Sequence, residues 1–362
     1  LKAPMSPLDG PVTVPQGLAS IDLPNAKLPR IAVMHTWLST QTEGWWRMAL
    51  DQMQVKYDYI STQDVAKLGN LRAKYDVILF GPIGGTRSKQ IVDGLPMWGN
   101  PMPWKTTKLT PNIGRIDSTD DIRPGLGESG VAILKRFVHD GGLLVTAEDT
   151  ARFAIDEGLA PGVFITPTNN LKVVGSVLQT TFVDRNSPIA ASYTRDDLAI
   201  YSAEGQSFTV SNLLSGDRGL PTAADFQRPT GRGGPHDVDT PEGRPSEQPP
   251  ALPDVKPWQA TPLNAEQMRN NPWVIPTDQR PRVILRFAAA DKLLIAGLLD
   301  GGSEMAERAA VVDARYGKGH VLLFASNPMW RGETIGSYPL VLNAISHFDQ
   351  LDSSTKDTST KP

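Results

Sequence analysis

Arg30-Ile31-Ala32-Val33-Met34-His35 is a short, unbroken apolar run closed by a histidine. A run of this kind suits a strand buried on both faces, because a half-exposed strand would alternate between apolar and polar residues. Three further stretches read as strands: 57–60 (Tyr57-Asp58-Tyr59-Ile60), 75–80 (Tyr75-Asp76-Val77-Ile78-Leu79-Phe80) and 143–147 (Leu143-Leu144-Val145-Thr146-Ala147). Between them, Trp45, Met48, Ala49 and Met53 recur at helical spacing over 44–53. Val131, Ile133, Leu134, Phe137 and Val138 do the same over 129–139, before a Gly141-Gly142 stop. Strands alternating with helices at this spacing predict an α/β fold, a parallel sheet with helices on both faces.

Outward from that frame the pattern changes. Residues 1–29 hold six prolines and read as an extended Pro-rich arm. Residues 86–125, rich in Pro, Gly and Trp, read as a loop. Residues 172–183 and 198–210 are rich in Val, Thr, Phe and Tyr and predict a β-rich insertion at about 172–213, an antiparallel layer or extension. A Pro/Gly-rich irregular segment, 215–281, follows, with ten prolines between Pro221 and Pro262. Strands return at 282–287, 292–299, 309–313 and 320–325, and a helix at 336–348 closes the α/β domain of 30–350. The remainder, 351–362, reads as a polar tail.

Composition narrows the function. The 362 residues are 40% hydrophobic and 21% charged, with a net charge of -3. That balance offers no basic field to hold a nucleic acid or an anionic membrane. With no cysteine in the chain, a disulfide scaffold, a thiolate zinc site and a cysteine nucleophile are all excluded. No apolar run reaches the roughly 18 residues of a membrane span. A chain that begins at Leu1 is expected to be a processed product or a fragment.

Catalytic signatures are sparse. The five histidines, His35, His139, His236, His320 and His347, show no paired metal-ligand spacing, and the last four read as structural or solvent-facing. No Gly-x-Ser-x-Gly elbow is present, and no catalytic or metal-binding residue is assigned. In open α/β sheets, ligands gather at the carboxyl ends of the strands. This brings His35, Trp37, Trp45, Trp46, Gly84, Gly85, Glu148, Asp149 and Arg331 to one candidate ligand rim. Packing for the tryptophans, and helix capping for Glu148 and Asp149, is the competing reading.

Four groups of residues also carry a resemblance. They are Arg30-Ile31-Ala32-Val33-Met34-His35-Thr36-Trp37 with Glu43-Gly44-Trp45-Trp46-Arg47; Tyr75-Asp76-Val77-Ile78-Leu79; Asp184-Arg185-Asn186-Ser187-Pro188-Ile189-Ala190; and Tyr316-Gly317-Lys318-Gly319-His320-Val321 with Pro328-Met329-Trp330-Arg331-Gly332. In this order they resemble the carboxy-terminal region of secreted bacterial proteins of the zinc carboxypeptidase (peptidase M14) family. That region is similar to class I glutamine-amidotransferase-like domains, which implies a flavodoxin-like sheet. The resemblance implies a secreted or periplasmic, non-catalytic domain serving substrate binding, domain docking or assembly. Zinc would sit only in an upstream peptidase domain, since no position here matches the family's His-x-x-Glu ligands, and no cofactor is implied for this chain. The implied partners are that peptidase domain, or further copies of the chain through 1–29 or 215–262. The alternatives are a stand-alone extracellular assembly subunit and, third, a hydrolase using His35 and Glu148.

Overall fold

The computed structural model describes residues 28–214 and 273–352. Five strands form the parallel half of one sheet: β1 (Ile31–His35), β2 (Asp58–Ser61), β3 (Val77–Phe80), β4 (Leu143–Ala147) and, far along the chain, the strand Gly319–Phe324, which is β12. Their spatial order is β2-β1-β3-β4-β12, all parallel. Renumbered within the half this is 2-1-3-4-5, the flavodoxin-like order, so the expected α/β class holds. Every residue of β1, β3, β4 and β12 is buried, which accounts for their continuous apolar runs.

The remaining strands are β5 (Val163–Ile165), β6 (Lys172–Phe182), β7 (Asp197–Ser202), β8 (Phe208–Val210), β9 (Arg282–Phe287), β10 (Leu294–Asp300) and β11 (Ala309–Tyr316). They continue the same sheet antiparallel, in the path β10-β6-β9-β11-β12 with β5, β7 and β8 alongside. β12 is the seam, antiparallel to β11 and parallel to β4. The β-rich portion is therefore an extension of the first sheet. It starts before residue 172, at β5, and resumes after residue 273.

Seven helices accompany the sheet among the described residues: α1 (Gln41–Gln52), α2 (Thr62–Leu68), α3 (Leu71–Lys74), α4 (Ser88–Asp93), α5 (Gly127–His139), α6 (Asp149–Asp156) and α7 (Tyr338–Ser346). α2, α3 and α4 pack on α5, and α4 packs on α6. None is long and apolar enough to cross a membrane. α1 buries Glu43, Trp46, Ala49 and Leu50. Its inward stripe thus runs through Trp46 and Leu50, four residues apart, where the sequence points to Trp45 and Met48.

Several boundaries are corrected. Residues 86–125 are not all loop: they contain α4, and bridges join Gly94 to Pro124 and Trp104 to Thr119. Of the irregular segment, 215–272 lies outside the described residues. Residues 273–281 are ordered by a bridge from Leu213 to Val274, the buried Ile275 and a short 3-10 turn, Thr277–Gln279. The tail's first residue, Leu351, is buried, and Asp352 pairs with Arg315 at 3.2 Å, so the folded body runs on to residue 352. The rest of the tail and residues 1–27 of the arm lie outside the described residues.

Candidate functional site

The carboxyl ends of β1, β3, β4 and β12 meet at one rim, and the residues expected there fall into three groups. The first surrounds His35, the last residue of β1. Its Nε2 lies 2.7 Å from a carboxylate oxygen of Asp117, and its Nδ1 lies 3.1 Å from the Thr36 carbonyl. The ring stacks on Tyr59 at 4.1 Å and meets the edge of Trp37 at 5.0 Å. On the far side of Tyr59 sits the Arg47 guanidinium, 4.3 Å from the ring centre. Glu43 is buried beneath, accepting hydrogen bonds from the Tyr59 hydroxyl at 2.5 Å and from Arg47 Nε at 3.2 Å. Burial pushes the Glu43 carboxyl up and the Tyr59 hydroxyl further up still. With both ring nitrogens engaged and the ring stacked on Tyr59, His35 fastens the 95–122 excursion to β1.

The second group centres on Glu148, which follows β4 directly. Its backbone is in a strained turn, φ 52° and ψ -118°, between strand and helix. A non-glycine residue there costs on the order of 1–3 kcal/mol and persists only when its surroundings fix it. Several bonds do so. The Glu148 N–H donates to the Phe324 carbonyl at 2.9 Å, and its own carbonyl accepts from the Arg152 N–H at 3.0 Å and from Gln206 Nε2 at 3.1 Å. The Thr150 hydroxyl lies 2.7 Å from the Phe80 carbonyl and accepts from the Ala147 N–H at 2.9 Å. This is the geometry that displays a nucleophile in elbow-type hydrolases. Here it carries a carboxyl held well above its ordinary range, first by burial and then by the nearby charges of Glu204 and Asp149. The Asn327 N–H pulls the other way.

Asn327 also binds α1, its side-chain oxygen accepting from Trp46 Nε1 at 2.8 Å. Trp46 is wholly buried. It is a core residue and leaves the candidate rim, because the helix turns it inward against Gly81 and Asn327. Trp45, one residue earlier, faces the rim. It meets Trp330 edge-on at 6.3 Å, and Trp330 stacks on Tyr201 at 5.7 Å. Arg331 is exposed and lies 5.4 Å from the Trp45 ring and 5.5 Å from the Trp330 ring. Tyr201 comes from β7, in the antiparallel half, and no local pattern in the sequence could have placed it here.

The third group is the loop after β3. Asp149 does not cap its own helix through its side chain. Its carboxylate accepts three backbone N–H groups, from Ile83, Gly84 and Thr86, each at 2.9 Å. Gly84 and Gly85 have φ of 103° and 77°, a conformation that glycine adopts without strain and that aims these amides inward. Beside this loop is a cavity of about 250 Å³, lined by Gly85, Arg87, Asp149, Arg152, Thr166 and Glu204 among others. Arg87, Arg152 and Glu204 had no signal in the sequence, since they lie on the loop before α4, on helix α6 and on the β7–β8 turn, far apart along the chain.

Among the described residues no group of three or more His, Asp or Glu side chains is placed to hold a metal. No protein-family model matches the chain, and no curated relative matches it. Solved structures do align. A GMP synthase-type protein from Thermoplasma acidophilum aligns with TM-score 0.43 and 7% identity, over 91% of this chain and 98% of that one. A ThuA-like protein from Bacteroides uniformis gives 0.38 and 10%, over 93% and 96%. A β-galactosidase from Bacillus circulans gives 0.40 and 10%, over 89% of this chain and 31% of that one. The identities and TM-scores are low, and the fold assignment rests on the strand order itself.

Proposed function

We propose that this chain is a non-catalytic binding module, the carboxy-terminal part of a secreted protein of the zinc carboxypeptidase type, and that its rim binds a ligand or docks the peptidase domain. The observation that carries the non-catalytic reading is the occupant of the elbow. Where a hydroxyl or thiol would attack, Glu148 presents a buried carboxyl whose protonated form is favoured, and a protonated carboxyl is a poor nucleophile. His35 is no base for it, because its two nitrogens face Asp117 and Thr36. The sequence resemblance supplies the parent family and the extracellular setting.

Two experiments test this. Purified chain is assayed on peptide, amide and ester substrates, and the expected result is no turnover above buffer. Turnover lost in Glu148→Gln would overturn the reading in favour of a hydrolase. Peptide mapping of the native protein is expected to find peptides upstream of Leu1 that carry a His-x-x-Glu motif. A native start at Leu1 with no associated peptidase would instead leave the assembly-subunit reading. Met97, Trp98, Leu109 and Ile116, which stand exposed on the 95–122 excursion, favour that second reading. Light scattering against concentration separates the two.

A further inference from the structure

The cavity beside the Gly84-Gly85 loop carries charge of both signs in a volume too small for a large ligand. At about 250 Å³ it falls below the roughly 300–1,000 Å³ of sites that take drug-sized molecules. Arg87 and Arg152 line it, and neither forms an ion pair among the described residues. Glu204 lines the same cavity; burial and the charge of Asp149 push its carboxyl up and the nearby charge of Arg152 pulls it down, with no bridge closed between Glu204 and Arg152. Asp149 lines it as well, but its oxygens are engaged by three loop amides. Ile165 supplies an apolar wall, and Thr166 is tied to Thr209 at 3.0 Å.

We propose that this cavity binds a small zwitterion of the free α-amino acid type. Its carboxylate would lie between Arg87 and Arg152, its ammonium against Glu204, and its side chain along Ile165. A simple anion would meet the charge of Glu204, and a simple cation the two arginines. A ligand with both charges about one bond angle apart satisfies each, and charge-assisted hydrogen bonds to guanidinium and carboxylate are the strong ones. The site lies at the carboxyl ends of β3 and β4, where open α/β sheets place their ligands. The proposal deepens the binding-module reading and rests on it.

The test is titration calorimetry on the intact chain with three probes: L-leucine, N-acetyl-L-leucine without the ammonium, and L-leucinamide without the carboxylate. L-leucine is expected to bind, and each blocked analogue to bind about tenfold more weakly or worse. Arg152→Ala is expected to weaken L-leucine by about tenfold. Glu204→Gln should do the same while leaving N-acetyl-L-leucine no weaker than in the parent chain. Absence of L-leucine binding, or equal binding of all three probes, overturns the proposal. Because the three probes are compared on the unaltered protein, that outcome does not depend on either variant folding. Failure here with no hydrolytic turnover leaves the binding-module reading intact, whereas turnover lost in Glu148→Gln removes that reading and this one together.

Discussion

In the parallel half of the sheet every residue of β1, β3, β4 and β12 is buried, whereas β10, at the edge of the antiparallel half, leaves six of its seven residues exposed. Leu298 is 68% exposed, and Val174 on the neighbouring β6 is 64% exposed. The same hydrogen-bonded ladder thus serves two purposes. Covered on both faces, the parallel half is the core, and its strand ends can hold polar groups in a fixed relation. The antiparallel half reaches that rim through β7 and the β7–β8 turn, which deliver Tyr201 and Glu204, and it presents an apolar edge outward.

The contrast is broken most directly by truncating one side chain in each half. Phe324 on β12 is 1% exposed. Phe324→Ala is expected to cost about 3–5 kcal/mol, through lost burial and the cavity left behind. Leu298→Ala on β10 is expected to stay within about 0.5 kcal/mol. Urea midpoints compare the two. Equal losses would mean that β10 is covered in solution, by a second copy or another chain.

The two ends of the parallel half give the next comparison. At the carboxyl end His35 meets Asp117 from a long excursion. At the amino end His320, the second residue of β12, lies 2.8 Å from Asp313 on β11 and 3.4 Å from Asp352. Arg282 reaches Asp184 and Arg315 reaches Asp352 around it. The two carboxylates outweigh burial and raise the His320 imidazole to about 9. A group raised in the folded state contributes stability that is complete below its ordinary value of about 6.5 and is lost as pH rises through about 9. Stability is therefore expected to fall by on the order of 3 kcal/mol between those limits. His320→Gln should flatten that slope; an unchanged slope would assign it to other groups.

How much of this could be read in advance follows from where the causes lie. The four buried strands were legible because burial on both faces writes itself as an unbroken apolar run, as in Val77-Ile78-Leu79-Phe80. α2 was missed, although Ser61 and Asp64 form a reciprocal capping box that the sequence displays. The strand-end rule placed the rim correctly but could not sort it. Trp45 and Trp46 differ only in which way one helix is turned. His35 finds Asp117 82 residues away, and Trp46 finds Asn327 281 residues away. The arginines and Glu204 of the small cavity lie on a loop, a helix and a turn far apart in sequence, and only the assembled sheet brings them together.

Asp149 and Glu148, adjacent in sequence, sharpen the comparison at the scale of one turn. Asp149→Asn replaces one carboxylate oxygen by an amide nitrogen facing an N–H donor. It is expected to cost about 1–3 kcal/mol and to loosen the 83–86 loop, visible as faster amide exchange there.

Glu148→Gln should have a smaller effect than Asp149→Asn. Burial and two neighbouring carboxylates already favour the uncharged acid, so an amide of the same shape removes no ion pair. A carboxyl raised in the folded state contributes most below its ordinary range, and that contribution fades as pH climbs through the raised value. The variant has no such titration. It is expected to lie within about 1 kcal/mol of the parent chain at acid pH and to gain relative to it on going alkaline. A loss of several kcal/mol at every pH would show instead that Glu148 works as a charged anchor. The elbow would then be held by an ion pair, not by the backbone bonds to Phe324, Arg152 and Gln206.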